Sequence, residues 1–270
     1  TNIEPLALGS LTMNAPGGTL TLSSRTNIHT ALGLTDGIIS ITTANDTLML
    51  LNDSPTALTA GAGWVFGRFS RELDGNTGGA YTFPIGTATA SQHARITFAD
   101  NYAPASMFAS FSASTPAFPA VLNTSECGAS AYSAWAGNGI WTLTPSTPIA
   151  AEYSISLMPN DITFGAAGDY TPETGTAAAT VTKNSGAGWV LDGECAPGLS
   201  NSNLNSSDGT VIATRAGLSG FSQFGIIATS GIPYPVEMLS FQASLVNQHD
   251  AQLDWQTASE QNNRGFQVQR

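Results

Sequence analysis

Residues 8–58 read LGSLTMNAPGGTLTLSSRTNIHTALGLTDGIISITTANDTLMLLNDSPTAL, and this stretch decides the fold class. Apolar and polar residues alternate along it, and the turn residues PGG, TDG and AND interrupt the alternation. A period of two between such turns predicts β-strands, for example at 19–22, 37–42 and 47–51. Short strands at this spacing fit either a β-sandwich or the rungs of a parallel β-solenoid.

The alternation continues through the middle of the chain. In AEYSISLMP, residues 151–159, the side chains of Tyr153, Ile155 and Leu157 fall on one face, as in a half-buried strand of an antiparallel sandwich. Arg68 and Arg71 interrupt an otherwise apolar strand, so we expect one or both to pair with a carboxylate. Further strands are predicted at YTFPIGT (81–87), ARITFAD (94–100), GIWTLTP (139–145) and GFSQFGIIAT (220–229).

The end of the chain, PYPVEMLSFQASLVNQHDAQLDWQTASEQNNRGFQVQR, differs from the rest. Pro233 and Pro235 favour an extended linker, and VEMLSFQASLVN and AQLDWQTAS predict two strands after it. A strand pair alone is marginally stable in water. We therefore expect its apolar face to be covered by further polypeptide or by another molecule.

These patterns predict an all-β protein in three parts. Residues 1–60 form a β-solenoid-like or sandwich part, residues 61–232 an antiparallel β-sandwich, and residues 233–270 a proline linker with incomplete strands. No stretch has a helical period or the length of a membrane-spanning segment, so we expect no membrane insertion.

Composition excludes some partners. Charged residues make up 10% of the chain and the formal net charge is −11, with Lys183 as the single lysine. Nucleic acids and anionic membranes are bound through basic patches, which one lysine and seven scattered arginines do not supply. Uncharged Thr, Ser and Asn residues are typical of β-rich extracellular proteins, where Thr also favours strands.

The two cysteines, Cys127 and Cys195, lie in the turn-like segments SECGAS and DGECAPG. In an exported protein we expect them to form a disulfide, which would contribute roughly 4 kcal/mol in the chain-entropy model. The alternative is a pair of free thiols, and no Cys/His spacing indicates zinc.

The segment PVEMLSFQASLVNQHDAQLDWQTASEQNNRGFQVQR resembles a stretch near the C-terminus of secreted Bacteroidetes surface proteins. There it opens a fibronectin type III-like domain that precedes a type IX secretion sorting domain. The motifs YTFPIGT and GLSGFSQFGIIA are similar to strands of the same proteins. The resemblance implies an exported, cell-surface protein associated with adhesion, matrix or filaments, and it implies no catalytic residues.

The residues themselves favour no enzyme. His29, His93 and His249 lie far apart in polar surroundings, so we expect surface histidines, and no GxSxG elbow accompanies them. Pairs of carboxylates in Gly-rich turns are better explained by turn capping than by glycosidase chemistry. We therefore predict no catalytic residues and no cofactor other than a possible structural calcium. The weak calcium candidates, which lack the DxDxDG register, are Asp74, Asn76, Asp161 and Asp169.

Trp135 and Thr47 each have a functional and a structural interpretation. Trp135, in SAWAGNG, is the tryptophan that we expect to be exposed and available for glycan binding, whereas Trp141 and Trp189 lie in alternating strands and fit a core. Thr47 is the central residue of Asp46-Thr47-Leu48, which is similar to the O-glycosylation site of Bacteroidetes proteins, although Thr47 also fits as an ordinary strand residue.

The leading hypothesis is an extracellular structural subunit of a surface fibre or adhesive layer, assembled by β-strand or sheet completion between copies. The alternative is a carbohydrate-binding or adhesion module of a larger secreted protein, with surface glycans as partners. The predicted assembly interface consists of Val236, Leu239, Phe241, Leu245, Leu253, Trp255 and Phe266.

Overall fold

A computed structural model describes residues 6–43, 46–76, 78–123, 131–136, 139–160, 179–195, 213–229, 237–246 and 250–259. These residues form strands, two short 3-10 turns (Pro55–Ala57 and Ala120–Leu122) and connecting loops, with no α-helix among them. The prediction of an all-β fold is therefore confirmed. The strands are β1 (Leu6–Leu22), β2 (Thr26–Ile41), β3 (Leu48–Leu50), β4 (Leu58–Ala60), β5 (Trp64–Phe66), β6 (Phe69–Leu73), β7 (Ala80–Phe83), β8 (Ile85–Gly86), β9 (Gln92–Phe98), β10 (Ala105–Ser112), β11 (Tyr132–Trp135), β12 (Ile140–Pro145), β13 (Tyr153–Pro159), β14 (Ala179–Asn184), β15 (Trp189–Val190), β16 (Glu194–Cys195), β17 (Ala213–Leu218), β18 (Gln223–Thr229), β19 (Glu237–Val246) and β20 (Asp250–Ser259).

The first strands form a solenoid-like stack. β1 pairs with β2 in parallel, and three successive segments of β2 pair in parallel with β3, β4 and β5. β1, β2 and the set β3, β4 and β5 are thus three stacked rungs, and each rung has three strand segments that lie in register with those of the next rung. The short strands expected at 19–22 and 37–42 are the ends of the longer β1 and β2, because register shifts bend these strands without ending them.

A glycine makes one of these bends possible. Gly37 has a φ of 96°, and a Cβ atom there would lie 2.6 Å from the carbonyl oxygen of Ala15 in the neighbouring rung. Any side chain at position 37 would push the two stacked bends apart.

The solenoid-like stack continues directly into antiparallel sheets. β3 pairs in parallel with β6, and β6 pairs in antiparallel fashion with β10, so one 13-stranded sheet runs through both parts in the order β15-β14-β18-β12-β10-β6-β3-β2-β5-β8, with β1, β4 and β11 attached beside it. The parallel ladder passes residue 60 without a break, since β5 and β8 extend it.

A second sheet, in the order β16-β17-β13-β9-β7, completes a sandwich with the antiparallel half of the large sheet. The predicted face of Tyr153, Ile155 and Leu157 is buried in this core. The indole Nε1 of Trp141 crosses between the sheets to donate a 2.9 Å hydrogen bond to the Gln92 carbonyl oxygen. The strand pair β19–β20 forms a separate two-stranded sheet.

Candidate functional site

The strand β1 forms one end of the solenoid-like stack. Among the described residues its only strand neighbour is β2, so the other edge of its backbone carries no strand. Strand edges of this kind present unpaired N–H and C=O groups that can pair with another chain. Natural proteins block such edges with charged residues, prolines and β-bulges. None of the 17 residues of β1 is charged, and Pro16 and the register shifts lie at the bends between its paired segments.

The apolar interior is also incompletely covered at this end. Along one column, Leu20 of β1 lies in register with Ile39 of β2 and then with Val65 of β5. Ile39 and Val65 are fully buried, whereas Leu20 is only partly buried. The same difference separates Leu8 of β1 from Ile28 of β2. The core of the stack is therefore only partly covered at β1, where Met13 is buried and the leucines are not.

The C-terminal strand pair presents a second exposed apolar face. Phe241 of β19 lies directly opposite Trp255 of β20, and Ala243 lies opposite Leu253. Phe241 is 56% exposed and Trp255 is 39% exposed, while Leu253 is partly buried. In an antiparallel pair, opposite residues and residues two positions apart share a face. The alternation thus places these predicted interface residues side by side.

The other predicted interface residues are described less fully. Leu239 lies where the β19–β20 register shifts between Met238 and Ser240, and Leu245 pairs with Ala251. Val236 and Phe266 lie outside the described residues, as do Asp161, Asp169, His249 and Cys127. The backbone of Cys195 pairs with Arg215, but the predicted disulfide stays untested because Cys127 is not described.

The expectation that Trp135 is exposed is wrong. Its side chain is 6% exposed, its Nε1 donates a 2.8 Å hydrogen bond to the Pro116 carbonyl oxygen, and its ring lies 4.8 Å from that of Trp189 in an edge-to-face contact. Space for the indole exists because residue 225 of the adjacent strand is glycine. A Cβ atom at Gly225 would lie 2.6 Å from the Trp135 ring. Trp141 and Trp189 are buried, as predicted.

Thr47 is not accessible as a glycosylation site in the folded chain. It is 5% exposed, because its carbonyl oxygen accepts a 3.1 Å hydrogen bond from the Thr26 amide and draws the residue against the neighbouring rung.

Asp74 caps a turn. Its Oδ1 accepts a 2.8 Å hydrogen bond from the Asn76 amide, and its own amide donates to the hydroxyl of Tyr81. Burial raises the pKa of Asp74, but hydrogen bonds with Tyr81 and Asn76 outweigh this effect and hold the pKa below its ordinary value. Within the described ranges no three His, Cys, Asp or Glu side chains come together as a metal site. The structural calcium therefore gains no support from Asp74 and Asn76.

In the part of the chain that the structure describes, neither Arg68 nor Arg71 forms the expected ion pair with a carboxylate. The guanidinium of Arg71 is fully buried and donates to the carbonyl oxygens of Ser54, Pro55 and Thr82 at 3.0, 3.4 and 3.2 Å. It also lies 4.8 Å above the Tyr81 ring. Burial lowers the pKa of Arg71 to about 10. Arg68 instead lies 4.9 Å above the ring of Phe108.

The two described histidines, His29 and His93, also differ in how far they are exposed. His29 is exposed, as expected, whereas most of His93 is covered and its Nε2 has no hydrogen-bond partner. Burial lowers the pKa of His93 to about 4, and a hydrogen bond with the Gly63 backbone opposes this shift only partly. His93 is therefore neutral at pH 7. Sequence alternation did not reveal this burial, because His93 lies on the side of β9 that faces away from the sandwich core.

The chain matches no protein-family model, no curated protein and no solved structure. Its class is therefore defined by the fold, an all-β protein in which a solenoid-like parallel stack continues into antiparallel sheets. In the part of the chain that the structure describes, no helix combines the length and the hydropathy needed to cross a bilayer.

Proposed function

We propose that the protein is an extracellular structural subunit of a surface fibre or adhesive layer, in which copies assemble by completing each other's β-sheets. The observation that carries this proposal is the open end of the solenoid-like stack. β1 offers a long uncharged edge over partly covered leucines, and a strand from a second copy would satisfy both the edge and the core.

The absence of charge favours a second copy as the occupant. The chain carries a net charge of −11, so most of its faces repel their equivalents on another copy. β1 has no charged residue, and two copies can approach there without like-charge repulsion. An antiparallel β1–β1 pairing about a two-fold axis is self-complementary, which is the commonest geometry of homo-oligomers.

A single two-fold contact gives a dimer and no more. The exposed face around Phe241 and Trp255 supplies a second, separate contact surface on the same chain. Two different contacts per copy allow a chain of copies to grow, as a fibre requires. The extracellular location rests on the uncharged composition and on the resemblance to secreted Bacteroidetes surface proteins.

Sedimentation velocity and electron microscopy over a range of concentrations test the proposal. The wild-type chain is expected to form dimers and longer species, and Leu11→Lys is expected to reduce them because it places a charge over the open end. Thr30→Lys is the matched control, since Thr30 is exposed on β2 and adds the same charge away from the edge. A chain that stays monomeric at every concentration, or a Leu11→Lys variant that assembles like wild type, would contradict the proposal.

A further inference from the structure

A cleft of about 400 Å³ lies on the outer face of the large sheet. On β12 the side chains of Trp141 and Leu143 enter the sandwich core, so Ile140 and Thr142 point to the opposite face. On β18 Phe224 enters the core and Gln223 points outward in the same way. The cleft is formed where these outward residues meet the loop after β10.

The cleft crosses five neighbouring strands, in the order β15-β14-β18-β12-β10. Strands in a sheet lie about 4.8 Å apart, so the cleft is roughly 20 Å long. The volume lies in the range of small-molecule binding sites, and the elongated shape suits linked rings laid across the strands. Strand pairing places Thr142, Gln223, Asn184 and Trp189 opposite one another in turn, and Ser112 lies opposite Ile140 at the end of this row.

The lining combines uncharged polar groups with an apolar floor. Hydroxyls and amides come from Ser112, Ser114, Thr115, Thr142, Asn184 and Gln223, and the apolar part from Pro116, Ile140 and Trp189. None of these residues is charged. Amides and hydroxyls both donate and accept hydrogen bonds, which is the chemistry needed to bind neutral hydroxyl groups.

One amide is positioned for a ligand. The Nδ2 of Asn184 donates a 3.3 Å hydrogen bond to Oε1 of Gln223, and Oδ1 of Asn184 accepts from the Gly186 amide at 3.0 Å. The bond from Asn184 thereby fixes the Gln223 side chain by the Gln223 Oε1 atom. Within the described part of the chain the Nε2 of Gln223 has no hydrogen-bond partner, so its two N–H donors remain available in the cleft.

The cleft floor is held rigid from behind. Trp189 and Ile140 belong to a second apolar cluster on this face, which also contains Trp135 and Ile227. Because Trp189 packs edge-to-face against Trp135, the floor does not have to reorganise when a ligand binds.

We propose that this cleft binds a neutral oligosaccharide. The amide and hydroxyl groups bind the sugar hydroxyls, and the apolar floor contacts the C–H faces of the rings. Anionic polysaccharides are disfavoured, since the lining has no cation and the chain carries a net charge of −11. The site is independent of β1 and of the β19–β20 pair, and it places glycan recognition in the cleft and not at the buried Trp135.

Affinity electrophoresis of the full chain tests the site, with a β-glucan, a mannan, a galactan and a dextran in the gel and heparin as the anionic comparison. We expect one or more neutral polymers to retard the wild-type chain. Gln223→Ala and Thr142→Val are each expected to weaken that binding about five- to tenfold, the effect of one lost hydrogen bond.

Thr144→Val is the matched control. Thr144 is exposed two residues along the same strand and does not line the cleft, so this variant should bind as wild type does. Thermal unfolding of all three variants should remain close to wild type. Retardation by heparin in preference to the neutral polymers, binding to none of the four, binding only to peptides, or equal binding by the Gln223 and Thr142 variants would each overturn the assignment.

Discussion

Leu11 and Leu32 occupy equivalent positions in neighbouring rungs, but Leu32 is 1% exposed and Leu11 is only partly buried. The two residues have the same side chain, and each lies in the middle paired segment of its own strand. They differ because Leu32 is covered by β1 on one side and by β4 on the other, whereas Leu11 has a strand on one side only among the described residues. This difference locates the open end of the stack.

A cysteine on β1 should form a disulfide between two copies. Ser10 and Thr12 are exposed and lie in the middle paired segment of β1. An antiparallel β1–β1 pairing places this segment beside the same segment of the second copy, so Ser10→Cys or Thr12→Cys would bring two thiols close together. Opposite Cα atoms in such a pair lie about 5 Å apart, within disulfide reach. Non-reducing electrophoresis after mild oxidation should show a dimer for at least one variant.

The control for this experiment is Thr35→Cys, which is exposed on β2 and away from the edge. The wild-type chain, with its own two cysteines, gives the background. Dimer formation no faster than in these two samples would argue against β1 pairing.

The β19–β20 face should contribute to growth beyond the dimer. We expect Trp255→Ser to weaken the association of dimers into longer species tenfold or more, because a large ring at an interface contributes strongly when it is buried. Gln256→Ser, an exposed neighbour on the opposite face of the same strand, should change little. Light scattering measures the size distribution, and unchanged growth of Trp255→Ser would remove this face from the assembly.

Arg71→Met should destabilise the fold. The variant leaves the carbonyl oxygens of Ser54, Pro55 and Thr82 without their donor in a buried site, at an expected cost of about 2–4 kcal/mol in the free energy of unfolding. Arg71→Lys should keep only part of the stability that Arg71→Met loses, since one ammonium group cannot reproduce the planar guanidinium. Urea unfolding gives the values, and a loss below about 0.5 kcal/mol for the Met variant would contradict the role of these bonds.

Stability should fall as the pH drops through the range set by His93. Its pKa is about 4 in the folded chain and about 6.5 when unfolded, so between these values the unfolded state binds more protons. Stability at pH 5 should thus be about 2 kcal/mol lower than at pH 7 on account of this one group, and the loss should level off below pH 4. Thermal unfolding at pH 7 and pH 5 should show a smaller difference for His93→Gln than for wild type, and equal differences would exclude His93 as the cause.

The sequence by itself determined the fold class and much of the strand content. Alternation places Tyr153, Ile155 and Leu157 on a single side of β13 wherever that strand lies, because successive Cβ atoms of a strand point in opposite directions. The same local rule placed Phe241 and Trp255 on strands and kept Trp141 in the core.

Only the tertiary structure decided which faces are covered. Trp135 is buried because Gly225 of a neighbouring strand leaves room for its ring, and Thr47 is buried because another rung lies against it. The cleft around Gln223 exists because β10 and β12, the β14–β15 hairpin and β18, which come from different parts of the chain, are neighbours in the sheet. Strand alternation is a local property, whereas strand order and the packing of a second layer depend on residues far apart in the chain, so the pattern alone does not contain them.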